Sequence, residues 1–308
     1  MEIYLPIADM PVNVFLLLAM GAAVGFISAM FGISGGFLMT PLLIFLGIPA
    51  AIAVASQTSQ IAASSMTGVL GYARRGALDL KLGAVLTLGG AVGTVAGVAF
   101  FNAMRRLGQL ELVIVVSYVV LFGFIGTLML VESLRALWSA RRGVARRRRR
   151  GGEHPWYVGL PLRMRFYRSK LYASVIPFLA VAFLIGFAGA VLGVGGGFIM
   201  VPTLLYLFRI PATVVVGTSL FQILCTMLGA TVLHAVTNQL VDVVLALILV
   251  VGGVFGAQFG ARAGQRLGGE TFRLLLALLV LAVGVRFALE LVVQPHEPFS
   301  IMRVGPER

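Results

Sequence analysis

The stretch "GFISAMFGISGGFLMTP" occupies Gly25–Pro41, and "GFAGAVLGVGGGFIMVP" occupies Gly186–Pro202. Nine of the seventeen positions are identical, and what both copies keep is a frame of glycines. Gly32, Gly35 and Gly36 stand opposite Gly193, Gly196 and Gly197, while Ser34 stands opposite Gly195. The match runs on beyond this stretch. Ile48-Pro49 meets Ile210-Pro211, "ASQTSQI" (Ala55–Ile61) meets "GTSLFQI" (Gly217–Ile223), and Gly89, Gly93 and Gly97 meet Gly252, Gly256 and Gly260. The chain is therefore written twice, roughly over 25–132 and 186–293.

Composition fixes the solvent of these halves. The chain is 59% hydrophobic and 11% charged, whereas soluble domains carry about 25% charged residues. Charge-free stretches such as 12–73, 82–104, 112–131, 171–208, 210–241 and 243–261 each supply the ~20 apolar residues that a membrane span needs. The N-terminal "MEIYLPIADMP" has no basic residue, so it lacks the start of a secretory signal and the first helix is expected to be retained. The one cysteine, Cys225, reads as a small apolar helix residue. Without a Cys/His cluster, neither a metal nor a cofactor is expected.

The net charge of +13 is concentrated in one place. Twelve of the 24 Arg and Lys residues lie between Arg135 and Lys170, with Glu153 as the only acid there. A single basic loop between apolar segments follows the positive-inside rule. Its Arg146–Arg150 run suits anionic lipid headgroups. No aromatic residues interleave that run, so nucleic acid is not an expected partner. Self-association is neither specified nor excluded.

The predicted fold class is an all-α polytopic membrane protein built from two inverted five-helix repeats. Each half offers four full spans and one short piece, and the duplication is of the kind found in secondary transporters. The expected spans are 12–33, 36–47, 50–73, 82–104 and 110–132, then 171–194, 197–208, 211–235, 243–263 and 271–293. The domain plan is a first repeat over 1–132, a cytoplasmic linker over 133–170, a second repeat over 171–295 and a tail over 296–308. The two 12-residue pieces would be roughly 18 Å long, little more than half a bilayer. Loop charge sets the orientation. "ARRGALDLK" (73–81) is basic and its counterpart "VTNQLVD" (236–242) is not, so the first is expected inside and the second outside, with the termini external. Arg105 and Arg106 fall on the wrong side of this scheme.

Why should two helices break in mid-membrane? Gly32-Ile-Ser34-Gly could seat a serine nucleophile, with His234 as the only base within the spans. A nucleophile needs such a base within hydrogen-bond reach, but duplicated glycines do not require a nucleophile. A broken helix exposes free N–H groups and about half a positive charge at its N-terminus. That makes an anion site without a buried cation, and places Ser34, Gly35 and Gly36 with Gly195, Gly196 and Gly197 as candidates. The bland alternative is that these glycines only permit close packing.

A second duplicated feature follows. Ser56, Gln60 and Ser64 are spaced i, i+4, i+8, as are Thr218, Gln222 and Thr226, so each trio lines one helix face. Gln57 and Ser219 widen the strip. Such groups usually face a bundle interior or a pathway, and interhelical hydrogen bonding is the alternative for Ser64 and Thr226. Ser56, Gln57, Gln60, Thr218, Ser219 and Gln222 are therefore the remaining binding candidates. The glycine rows 89/93/97 and 252/256/260 read as packing surfaces, Asp79 and Asp242 as helix caps, and Arg286 with Glu290 as a local pair.

At the glycine frames the chain resembles the TauE/SafE sulfite-exporter family of bacterial inner-membrane permeases. "GFISAMFGISGGFLMTPLLIFLGIP" with "ASQTSQIAASSMTGVLGYARRGALD", and "GFAGAVLGVGGGFIMVPTLLYLFRIP" with "VGTSLFQI", carry the likeness. The G-x-G-G-G core is intact over Gly193–Gly197, whereas Ser34 replaces a glycine in the first copy. The resemblance implies transport of small anions, typically sulfite or organosulfonates, across the cytoplasmic membrane. An anion channel, or a hydrolase using Ser34 and His234, are the competing readings.

Overall fold

The computed structural model describes residues 2–31, 35–141, 161–166, 168–169, 171–208, 210–263 and 269–292. In the first half these form α1 (Val14–Phe31), α2 (Gly36–Phe45), α3 (Ala50–Arg74), α4 (Leu80–Arg106) and α5 (Leu110–Arg141). In the second half they form α6 (Ile176–Leu192), α7 (Gly197–Pro202), α8 (Ala212–Leu233), α9 (Val243–Ala263) and α10 (Gly269–Val292). Helix α7 runs on as a π turn over Thr203–Leu207, and α8 as another over His234–Asn238. Among the described residues, four helices are long and apolar enough to cross a membrane, and four more are apolar but shorter. The protein is an all-α, multi-pass membrane protein.

Strands were not expected, yet each half opens with a short antiparallel hairpin. β1 (Glu2–Leu5) pairs with β2 (Met10–Asn13), and β3 (Arg163–Phe166) with β4 (Leu171–Ser174). Alternation explains the first hairpin: Leu5 and Val12 are buried while Glu2, Tyr4, Pro11 and Asn13 are exposed. Asp9 turns the chain in the left-handed region, φ 54°, and accepts a hydrogen bond from the Tyr4 hydroxyl. In the second hairpin Phe166 and Ala173 are fully buried, so the helix expected from 171 starts only at Ile176.

The halves are interleaved rather than side by side. Helix α1 packs on α9, and α4 packs on α6, so the first helix of each half lies against the fourth helix of the other. The glycine rows make these contacts. A Cβ on Gly252, Gly256 or Gly260 would collide with the carbonyl oxygens of Leu18, Ala22 and Phe26. One on Gly89, Gly93 or Gly97 would meet those of Leu179, Phe183 and Phe187 in the same way. Without side chains the backbones come close enough for dispersion to act along the whole crossing.

Two sets of equivalent helices, α3 with α8 and α5 with α10, pair with each other and run antiparallel. Thr58 on α3 stands 2.9 Å from Thr231 on α8, while Gly68 lies against Leu220, so the register falls on one helix as it rises on the other. Helices α5 and α10 behave alike, with Gly126 against Leu281 and Gly284 against Phe122. The core between them is largely aromatic: Tyr118 stacks on Phe287 at 5.4 Å, and Phe287 meets Phe45 at 4.8 Å.

Candidate functional site

Both short helices begin inside the protein. Gly193, Gly195 and Gly196 have φ of 66°, 70° and 70°, a left-handed run that ends α6 and re-aims the chain into α7. Residues 32–34, with Ser34, lie outside the described part, and α2 resumes at Gly36 after a turn at Gly35. The first bonded amides of α2 are those of Leu38 and Met39, which donate to Gly35 O. Those of α7 are Ile199 and Met200, which donate to Gly196 O. The N–H groups of Gly36, Phe37, Gly197 and Phe198 precede these ladders. The two starts converge, since the Phe37 and Phe198 rings lie 5.3 Å apart. Protein groups hold the carbonyls freed by the break. The Tyr118 hydroxyl donates to Leu192 O at 2.5 Å, and the Thr40 hydroxyl to Gly193 O at 3.3 Å. Unpaired carbonyls there would cost several kcal/mol each.

The polar strip divides into two kinds of residue. Ser56 and Thr218 have structural partners: the Asp242 N–H donates to Ser56 Oγ at 2.9 Å, and the Asp79 N–H to Thr218 Oγ1 at 3.2 Å. Both aspartates are helix caps, as the sequence indicated. Asp79 Oδ1 accepts from Leu82 N–H at 3.2 Å, and Asp242 Oδ1 from Val244 and Leu245 N–H at 3.0 and 3.1 Å. Their second oxygens bind the hairpins. Asp79 Oδ2 accepts from the Ser169 N–H and hydroxyl at 3.0 and 2.7 Å, and Asp242 Oδ2 from the Ile7 N–H at 3.0 Å. Each hairpin turn is thus fastened to the fourth helix of the opposite half.

Gln57, Gln60, Ser219 and Gln222 remain, all 3% exposed or less. Gln57 Nε2 donates to Gln60 Oε1, and Gln222 Nε2 donates to Thr226 Oγ1 at 3.4 Å. Among the described residues, five buried side-chain polar atoms have no hydrogen-bond partner within the protein. Three of them are Gln57 Oε1, Ser219 Oγ and Gln222 Oε1. Gln57 and Ser219 are equivalent in the repeat, as are Gln60 and Gln222. These atoms therefore lie at just two duplicated positions.

The structure does not merge the strip into one cluster. Gln60 sits against Gly253 on α9, whereas Gln222 sits against Gly90 on α4. The antiparallel register places Gln222 roughly six residues, or ~9 Å, along α3 from Gln60. Ile61, next to Gln60, touches Gly36 at the start of α2, so the first polar cell adjoins the first helix break. Gly90 and Gly253 were missed by sequence reasoning, although the doubled glycines in "LGGAVG" and "VGGVFG" signal them.

His234 has both ring nitrogens engaged. Nε2 lies 3.0 Å from Ala190 O and Nδ1 2.9 Å from Asn238 Nδ2, with the Phe101 ring edge-on at 4.8 Å. An amide donor at Nδ1 and a carbonyl at Nε2 describe a neutral, structural imidazole. Arg105 has a reason to stand where loop charge did not want it: its guanidinium donates to Asn238 O at 3.3 Å, closing the π turn that ends α8. Arg286 lies 5.8 Å above the Phe45 ring, while the Glu290 side chain and the Arg146–Arg150 run fall outside the described part.

The family model for the sulfite exporter TauE/SafE matches residues 17–287. The chain belongs to that family. Probable membrane transporter protein YunE of Bacillus subtilis (strain 168) is 25% identical to it over 89% of this chain and 97% of the relative. A probable membrane transporter protein of Xylella fastidiosa (strain 9a5c) is 28% identical over 76% of this chain and 78% of its own length. YjnA of Bacillus subtilis is 23% identical over 88% and 98%. No solved structure matches. Together with the apolar spans, the family makes this protein a membrane transporter.

Proposed function

We propose that the protein is a secondary permease for small sulfur anions, sulfite or organosulfonates, in the bacterial cytoplasmic membrane. The observation that carries the reading is the set of unpartnered buried atoms on Gln57, Ser219 and Gln222. Leaving such an atom unpaired costs about 1–3 kcal/mol, and native proteins keep few of them. Gln57 and Ser219 are equivalent in the two halves, and the Gln57–Gln60 cell adjoins the break before α2, which fits a cargo site. The Ser219 hydroxyl, the glutamine amides and the leading N–H groups of α2 and α7 donate to anion oxygens. The glutamine carbonyl oxygens accept from the O–H of a protonated oxyanion or the ammonium of an aminosulfonate. Every one of these groups is neutral, so the empty site buries no charge.

Antiparallel packing of equivalent helices supports an in-plane pseudo-two-fold axis, and hence alternating access by rocking of inverted repeats. In this arrangement the basic linker is cytoplasmic, where it can meet anionic lipid. The family supports transport over hydrolysis, as does the occupied His234 ring.

Purified protein in liposomes, assayed in parallel with sulfite, thiosulfate, sulfoacetate, taurine and acetate, tests the reading. Saturable counterflow of at least one sulfur anion is expected. Carriage of a neutral solute with none of these anions discards the anion site, and ohmic currents replace the carrier by a channel.

A further inference from the structure

Helices α4 and α9 each carry two adjacent glycines at their central crossing, and the two have different neighbours. Gly89 and Gly252 face backbone: a Cβ there would lie 2.6 Å from Leu179 O and 2.6 Å from Leu18 O respectively. Gly90 and Gly253 face the glutamines. A Cβ on Gly253 would lie 2.5 Å from Gln60 Nε2, and the next atoms, at 3.4 and 3.6 Å, also belong to Gln60. One on Gly90 would lie 2.8 Å from Gln222 Nε2 and 2.6 Å from the Thr226 methyl. Neither glycine adopts a positive φ, so the backbone conformation does not require it, and in a helix interior alanine is the better residue. Close backbone packing accounts for the first glycine of each pair. What the second one provides is room for an amide.

We propose that Gly253 and Gly90 are positioning residues: they seat the Gln60 and Gln222 amides and so set affinity and anion choice. The inference rests on the reading of those glutamines as cargo contacts. The three atoms nearest to an added methyl at Gly253 all belong to the flexible Gln60 side chain, its amide nitrogen first. The helices can stay packed while the amide moves by about 1 Å to reach normal contact. A shift of that size at a binding group is functionally large. Gly90 is the equivalent position in the other half, where the Thr226 methyl limits the space together with the Gln222 amide.

The test uses the full chain in proteoliposomes. The probe is whichever of sulfite, thiosulfate, sulfoacetate and taurine gives the strongest counterflow; if none does, the anion reading falls and this inference with it. Gly253→Ala, Gln60→Ala and the double variant are compared for KM, Vmax, anion preference and Tm. Each single variant is expected to raise KM about tenfold, the size of one hydrogen bond to a charged group. The double variant should be no worse than Gln60→Ala, because the methyl then has nothing to displace. An unchanged KM in Gln60→Ala removes the site reading itself. A raised KM in Gln60→Ala with unaltered KM and preference in Gly253→Ala leaves the site standing and overturns the positioning role. So does a Gly253→Ala effect that persists undiminished in the Gln60→Ala background, since it would run through packing. Should Gly253→Ala fail to fold, recovery of folded protein in the double variant supports the inference, and failure of both overturns it.

Discussion

Asp79 and Asp242 show how much one carboxylate can hold together. Each caps its own helix with one oxygen and secures a hairpin turn with the other. Charge-assisted bonds of this kind contribute about 1.5–3 kcal/mol apiece. Asp79→Ala and Asp242→Ala are therefore each expected to lower stability by about 3 kcal/mol or more, read as a fall in Tm of the detergent-solubilised protein. Ser56→Ala and Thr218→Val remove only the acceptor for one buried N–H. They should cost about 1–3 kcal/mol and leave the KM for the transported solute unchanged. An unaltered Tm with a raised KM would instead return both residues to the binding shell. Gln222→Ala should do the opposite, weakening transport with little effect on Tm.

Among the helices, the glycine rows set how closely neighbours can approach. Gly93 and Gly256 press against the carbonyls of Phe183 and Ala22, so alanine at either position must push two helices apart. Both substitutions are expected to reduce Tm and the monodisperse fraction on size-exclusion chromatography. Gly123, in the middle of α5, has nothing within 4 Å of its would-be Cβ. There alanine should be neutral or stabilise by up to about 1 kcal/mol, through helix propensity alone. Behaviour like Gly123 at Gly93 would mean that the helices do not touch where the structure has them.

The sequence revealed these elements unevenly, for physical reasons. Helix starts and glycine-ended helices were largely legible because apolar length and glycine breaks act locally; α3, expected over 50–73, runs over Ala50–Arg74, but α5, expected to end at 132, continues into the predicted linker as far as Arg141. The hairpins were not legible. Their strands are only four residues long, so even the alternation of "RMRF" is too short to stand out from a helix entrance. The π turn at His234–Asn238 depends on the imidazole's tertiary partners, which periodicity does not report. Ser56 illustrates the same limit within the site. Spacing gave its helix face correctly, but only the fold shows that the neighbour on that face is the start of α9.

For the whole molecule, the antiparallel pairing of α3 with α8 has a directional consequence. Ser56 marks one end of that pair and Thr218 the other, so the two hairpins fastened beside them lie at opposite ends of the bundle. With the basic linker inside, a membrane-impermeant maleimide should label Glu2→Cys from outside and Tyr172→Cys from inside, both in a Cys225→Ser background. Labelling of both positions from one side would make the repeats parallel and remove the basis for rocking.

Interleaving also bears on how the chain is made. Helix α1 is complete at Phe31, but α9, against whose backbone its Gly21 and Gly25 lie, does not begin until Val243. At a synthesis rate of about 5–20 residues per second, the newborn segment waits on the order of 10–40 s before its true neighbour leaves the ribosome. Throughout that delay its bare backbone surface has only lipid or an insertase for company. Biogenesis of such a transporter should therefore depend on a membrane chaperone far more than that of a bundle whose helices meet in the order of their translation.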